Sequence, residues 1–335
     1  DYPFDATKGQ KCDSCSVPED TQKIWAARLA KFKTDEIDDI DFYTIPINYH
    51  IIGDDLFDAS TVNGMGLRDY YTNVAIPDQT NQLQLDWNGR NPDRNATNIP
   101  PQAFRDAYGA QDKFSFYTRS ISYVNAEGWR FNNMPNYKVV RGSTQDNVTQ
   151  LKLLISPARR VQTELNVWIV PEILRLNNGT WTNGLLGFST FPDEGFANMD
   201  GVVLGGYTMG SVVNASVTPE PNPNTIFGSS YAGVRTNTTY GLGRTLTHEI
   251  GHYLSMRHTW GDQPHNECGA PQGIPPFTPE NENFIPNYPR QRGPSEGKPI
   301  PPNRIVLDNP ACNPQPAPFQ NADGIMYQNF MDYGA

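Results

Sequence analysis

Long apolar runs are missing from this sequence. No stretch of its 335 residues approaches the ~20 that a helical crossing of a bilayer requires. Positive charge is also scarce: 26 Lys and Arg stand against 36 Asp and Glu, for a formal net charge of -10. A sequence-independent grip on nucleic acid needs Lys and Arg along the phosphates, so no nucleic-acid partner is expected. Charged residues of either sign reach only 19%, against 37% hydrophobic. That balance excludes intrinsic disorder, which pairs low hydrophobicity with high charge. No signal-like apolar run follows Asp1, which leaves a removed signal and no signal as alternatives. Histidine and cysteine are few, five and four respectively, so the places where they gather carry information.

Glycine (28) and proline (29) are plentiful, and they point to many turns and long loops. The length exceeds one compact core and falls short of several large domains. One domain split into two lobes, or carrying long insertions, fits best. Sequons stand at Asn95, Asn147, Asn178, Asn214 and Asn237, each a potential glycosylation site of a secreted protein. Four cysteines allow three disulfide connectivities. Proximity along the chain favours Cys12 with Cys15 and Cys268 with Cys312. The competing view of Cys12 and Cys15 as half of a metal site or a redox pair lacks both a second such pair and a βαβ context.

Residues 18–33 carry Pro18 at the start, acids in the first turn and lysines at the end, which predicts a short amphipathic helix. Thr44 to Ile52 is rich in β-branched residues and predicts a strand. Leu165 to Val170 is nearly all apolar and predicts a central strand. Leu185 to Phe191 and Gly201 to Leu204 are further strand candidates. Leu242, Leu246, Ile250 and Leu254 recur four apart, a helical spacing. Residues 263–320 are proline-rich without periodicity and form a long irregular insertion of the kind that shapes binding sites. These elements divide the chain into an N-terminal extension over 1–40, a part with strands and a helix over 41–254 and an irregular part over 255–335.

The predicted helix carries His248-Glu-Ile-Gly-His252, with His258 six residues on. Residues four apart share a helix face, so two imidazoles can meet one zinc ion. His258 would be the third ligand, and three neutral protein ligands leave a fourth tetrahedral position open, the mark of a catalytic zinc site. Glu249 is placed to serve as general base toward the water of such a site. His-Glu-x-x-His alone is a short pattern. Three of five histidines within eleven residues make it specific. His50 and His265 are expected to be a strand and a loop residue rather than ligands. For His258 to return to the metal, the helix must stop near Leu254 and the chain must turn sharply near Ser255, where glycine would be the easier residue.

The extended pattern His248-Glu-Ile-Gly-His252-Tyr-Leu-Ser-Met-Arg-His258 resembles the zinc signature of the metzincin clan. Asn329-Phe-Met331-Asp-Tyr333 is similar to its methionine-containing turn. Thr245-Leu-Thr-His-Glu-Ile-Gly-His-Tyr-Leu, the following His258-Thr-Trp-Gly-Asp262, and upstream Leu185-Leu-Gly-Phe-Ser-Thr-Phe-Pro192 and Asp200-Gly-Val-Val203 narrow the resemblance to the pappalysins. It covers about 160–262 and 325–333.

The resemblance implies a metzincin-like α/β (α+β) fold. A twisted mixed sheet and the zinc helix would form an upper lobe, with a smaller irregular lobe after His258. It implies that Met331 floors the zinc site, that Tyr333 stabilises an oxyanion, and that the strand at Leu186, Gly187 and Phe188 pairs with an extended substrate. Calcium is a second ion of the family. Here Gln272-Gly-Ile-Pro-Pro-Phe-Thr-Pro279 lacks the carboxylates such a site needs, leaving Asp262 as a contributor to a calcium site elsewhere or to the substrate pocket. The implied function is a secreted zinc endopeptidase acting on protein or peptide substrates, with no membrane or nucleic-acid partner. Side-chain preference and oligomeric state are not legible. A catalytically silent binding protein on the same scaffold is the alternative, and the intact Glu249, three histidines and Tyr333 speak against it.

Overall fold

The structure is a computed structural model. It describes residues 43–53, 61–62, 65–91, 113–126, 139–141, 148–170, 173–177, 180–190, 199–209, 243–254, 256–259 and 330–331. The expected helix at 18–33, all four cysteines, the asparagines of all five sequons, Ser255, Asp262, His265, the proline-rich insertion and Tyr333 lie outside these residues. The described residues fall into two compact units. One is drawn from positions 43–91 and 113–253, and the other from positions beyond 253.

The first unit is a five-stranded mixed sheet. Its strands are β1 (Tyr43–Gly53), β2 (Phe114–Asn125), β3 (Leu165–Val170), β4 (Gly187–Ser189) and β5 (Val202–Gly205), in the order β2-β1-β3-β5-β4. The first four in that order run parallel, and β4 alone is antiparallel, at the edge beside β5. β3 is the centre, as its apolar run predicts: all six of its residues are buried. A smaller sheet joins Val139–Arg141, Ile173–Asn177 and Thr180–Leu185.

The expected strand over Leu185 to Phe191 is therefore two strands. Thr180–Leu185 belongs to the small sheet and β4 to the large one, and the chain switches sheets at Leu186. The Leu186 carbonyl accepts a hydrogen bond from the Gly205 N–H at 2.8 Å, which fixes the start of β4 against the end of β5. β5 itself begins at Val202 rather than Gly201, because Gly201 adopts φ +141, outside the range of a regular strand.

Strand alternation sends Ile47, Tyr49 and Ile51 of β1 to one face and Asn48, His50 and Ile52 to the other. On the first face lies helix α1, which runs from Leu67–Tyr70 through a wide turn at Tyr71–Ala75 into Ile76–Trp87. Pro77 explains the wide turn. It has no N–H to give, and its ring crowds the carbonyl four residues back, at Asn73. The Tyr49 hydroxyl meets Thr80 Oγ1 at 3.1 Å, which ties α1 to β1. On the second face lies a short helix, α2, formed by Val148–Gln150 and Leu151–Ile155.

That second face is unusually polar. His50 is bonded to Ser122 Oγ at 2.8 Å and to Asn166 Oδ1 at 3.0 Å, and it stacks on Trp168. Burial depresses its pKa, with Arg159 adding to the effect against the Asn166 hydrogen bond. His50 is thus a satisfied core residue of a strand, as expected, with both ring nitrogens engaged by neighbours. Fully buried Lys152 of α2 donates to the carbonyls of Met199 at 2.9 Å and Gly201 at 3.2 Å. Its ammonium also sits 4.8 Å from the centre of the Trp168 ring, a cation–π distance.

Gly201 closes this arrangement. A Cβ there would come within 2.3 Å of the Asn166 carbonyl oxygen and 2.8 Å of Trp168 Cζ3. Backbone strain at the positive φ adds to the clash. Gly201→Ala is expected to lower the free energy of unfolding by at least about 2 kcal/mol, read from the urea midpoint. A variant as stable as the parent would show that the loop before β5 shifts freely.

Candidate metal centre

The decisive helix is α3, Arg244–Tyr253. Leu246 and Ile250, one turn apart, are wholly buried and anchor it to the core, each contributing roughly 1.5–3 kcal/mol. α3 packs against β4, β5 and α1. It stops at Tyr253, and Leu254 forms a turn, which is where the histidine spacing requires a stop.

Four-residue spacing brings the rings of His248 and His252 into an edge-to-face pair with centres 4.8 Å apart. Their Nε2 atoms lie 3.1 Å from each other. His258 follows the end of the helix, and the ligand atoms of His248, His252 and His258 all lie within 4.8 Å of one another. His252 and His258 are each 1% exposed. The donor set fits a zinc ion. Zn–N bonds of about 2.0–2.1 Å in tetrahedral geometry separate two ligand nitrogens by roughly 3.3 Å, close to the spacing of the His248 and His252 pair. Three imidazoles also form a neutral donor set that suits zinc better than calcium.

Glu249 follows His248 and is buried. Its neighbour is the backbone of β4: a Cβ on Gly187 would stand 3.0 Å from Glu249 Cγ, 3.2 Å from Thr245 Cγ2 and 3.2 Å from the Val203 carbonyl oxygen. Glycine suits this position because a side chain would sit tighter than ordinary van der Waals contact, and the strand or the helix would have to give by a few tenths of an ångström. Leu186 accepts from Gly205, and the Thr190 N–H donates to the Gly201 carbonyl at 3.3 Å. These residues on either side of β4 face β5. Strand alternation then turns the N–H and C=O of Gly187 and Ser189 to the open edge, and no strand among the described residues pairs with that edge. Leu186 and Phe188 are themselves buried.

Beyond the helix, Met331 is buried, and its carbonyl accepts a hydrogen bond from the Thr259 N–H at 3.1 Å. The methionine is therefore tied to the residue next to His258.

The polar contacts at the start of α3 carry no motif in the sequence. Asp86 of α1 is 1% exposed. Its Oδ1 lies 3.3 Å from Arg244 Nη1 and accepts from Gln82 Nε2 at 2.6 Å, and its Oδ2 accepts from Thr247 Oγ1 at 2.5 Å. Gln79 Nε2 donates to the Gly243 carbonyl at 2.8 Å. Burial pushes the Asp86 carboxyl up to about 6, against the opposing pull of Arg244, Thr247, Gln82 and Asn91. The signal was present as Gln79, Gln82 and Asp86 at helical spacing, but a polar stripe reads as a solvated face.

No family model matches the chain. The extracellular metalloproteases of Arthroderma benhamiae and Trichophyton verrucosum are each 30% identical to it over 173 residues, 50% of this chain and 40% of theirs. The chain thus spans less than half the length of these relatives. Among solved structures, Tannerella forsythia mature mirolysin in complex with a cleaved peptide aligns with a TM-score of 0.50 at 23% identity, over 87% of this chain and 84% of that one. A promirolysin mutant from the same organism aligns with a TM-score of 0.53 at 21% identity, over 96% of this chain and 86% of that one. At such identities the likeness is one of fold. The mixed α/β architecture matches these mirolysin structures, in line with the fold class expected from the sequence.

Two outcomes follow from this geometry. Gly187→Ala is expected to displace Glu249 and to cost about 1–3 kcal/mol of stability by overpacking, read by urea unfolding. For Asp86, a folded-state pKa above the ordinary 3.8 means that the folded protein holds the proton more tightly than the unfolded chain. Its contribution to stability is fully present below the ordinary value and is lost as pH rises through about 6. The stability of the parent minus that of Asp86→Asn should therefore fall between pH 4 and pH 7. A difference that rises over that window would reverse the assignment.

Proposed function

We propose that this chain is a zinc-dependent endopeptidase of pappalysin type, with His248, His252 and His258 as metal ligands and Glu249 as general base. The observation that carries the proposal is the gathering of the three histidine donors within 4.8 Å of one another, with Glu249 buried one residue along the same helix. When bound, a zinc ion supplies Lewis-acid chemistry: it polarises a carbonyl and lowers the pKa of water from about 15.7 toward roughly 7. Glu249 takes up a proton from the attacking water and returns one to the leaving amine.

The open edge of β4 offers the backbone groups of Gly187 and Ser189 to an extended peptide, which would add a strand to the sheet. Gly187 lies against Glu249, so a peptide on that edge runs beside the base. A peptide substrate is also in keeping with the cleaved peptide held by mature mirolysin. Met331 is assigned as the apolar floor of the centre and Tyr333 as the donor to the developing oxyanion. Secretion is proposed from the sequons and from the names of the extracellular metalloproteases that the chain resembles. Pairing of Cys12 with Cys15 and of Cys268 with Cys312, with glycan at the sequons, completes the proposal.

A strong chelator is expected to abolish cleavage of a protein substrate, and added zinc to restore it. Glu249→Ala should lower kcat by about 10²–10⁴-fold with one zinc still bound per chain, and Tyr333→Phe by about 10²-fold. Cleavage that persists in Glu249→Ala would sink the assignment. Intact mass before and after deglycosylation tests the secreted state, which the absence of glycan from all five sequons would contradict.

A further inference from the structure

The helix that carries His248 and Glu249 is not held to α1 by apolar packing alone. Gln79, Gln82 and Asp86 lie three and four residues apart on one face of α1, and none is more than 1% exposed. The contacts of Gln79 and Asp86 with α3 fall within 243–247, the stretch that leads into His248. Gln79 reaches the Gly243 carbonyl, and Asp86 reaches Arg244 and Thr247. Gln82 stays on its own side: it donates to Asp86 at 2.6 Å and to Asn91 Oδ1 at 3.3 Å, which braces the carboxylate from behind.

Burying a charge pair at this depth is unfavourable in itself. Apolar side chains of similar size would hold two helices together as well or better. What apolar contact does not supply is direction. Here both carboxylate oxygens are engaged, one by Arg244 and one by Thr247, which are three residues apart and so face the same way. Together they fix the rotation of α3 about its axis as well as its position along it. A metal site tolerates little error of this kind, since ligand geometry must hold to roughly 0.5 Å and 10–20°. His248, next to Thr247, and His252, one turn on, move with any rotation of that turn.

We infer that Asp86 is a positioning residue of the metal centre: through Thr247 and Arg244 it sets the rotation of α3 and thereby the aim of His248 and His252. The inference rests on the proposed role of those histidines as metal ligands. It gives the polar face of α1 a task that its distance along the sequence from the histidines conceals.

The test uses three variants of the full chain. Asp86→Asn keeps the shape and removes the charge, and Thr247→Val removes one hydroxyl without changing volume. The combined Asp86→Leu, Arg244→Met, Thr247→Val variant replaces the network with apolar packing. Zinc affinity is measured by competition with a chelating dye, and the visible spectrum is recorded after cobalt substitution. In variants that keep the parental circular dichroism and urea midpoint, zinc binding should weaken about 10–100-fold and the cobalt bands should shift. On a peptide substrate kcat should fall about tenfold, with KM within twofold.

A merely structural network would change the urea midpoint and leave zinc affinity and the cobalt spectrum at parental values, and that result overturns the inference. So does a combined variant of parental stability with unaltered zinc affinity. If Asp86→Asn or the combined variant fails to fold, Thr247→Val decides on the same readouts. The parent protein separates the two levels. If it binds neither zinc nor cobalt at one per chain, the metal assignment itself falls, and this inference with it. If it binds both ions and the variants match it, only the role of Asp86 falls.

Discussion

Two imidazoles from one helix have to meet a third from beyond its end, and the rest of the site depends on that geometry. Nε2 atoms 3.1 Å apart leave little slack, so α3 must be straight over His248 to His252 and must stop soon after. The helix ends at Tyr253, one residue past the second histidine. His258 is buried with Thr259, and the backbone bond from Thr259 to Met331 holds the chain where it leaves the third histidine. A methionine far along the sequence is thereby joined to the ligand loop, whatever its side chain does.

The same helix must also lie close to the sheet. Gly187 is the place where this closeness is visible, since even a methyl group would press on Glu249. The choice of glycine in an edge strand runs against strand propensity. It is intelligible because the strand and Glu249 occupy neighbouring space. An edge strand with open backbone groups is ordinarily a liability, because it invites pairing with any extended chain. Beside Glu249, that tendency is what the proposed function would use to place a peptide.

Much of this was legible in the sequence, and the reasons are specific. β1 and β3 announced themselves because β-branched and apolar runs have few other uses. α3 was legible twice over, from Leu246 and Ile250 as an apolar stripe and from the histidine spacing. β2 and α1 were not foreseen. In α1 three of the five buried side chains over Ile76–Trp87 are polar (Gln79, Gln82 and Asp86), which dilutes the apolar periodicity by which helices are found, and Pro77 reads as a helix breaker although the helix continues through a wide turn. The break at Leu186 was also hidden, because two short strands in different sheets read as one apolar run. What decided it was a single backbone bond to Gly205, which no local pattern encodes.

Both faces of the sheet carry buried polar groups, and the contrast between them bears on function. On one face His50, Asn48, Asn166 and Glu164 satisfy one another: Asn48 Nδ2 donates to Glu164 Oε2 at 2.6 Å, and His50 lies between Ser122 and Asn166. Each member there has a partner of matching chemistry, and Glu164 carries the network out to the exposed side chains of Arg160 and Arg119. On the other face the polar groups of α1 reach across to α3 and stop next to the histidines. A network that runs out to surface arginines is well explained by the need to satisfy buried donors and acceptors. A network that ends beside three converging imidazoles is not, because apolar residues on both helices would have removed that need altogether. The difference between the two faces is therefore the physical ground for treating Asp86 as part of the site, although no motif contains it.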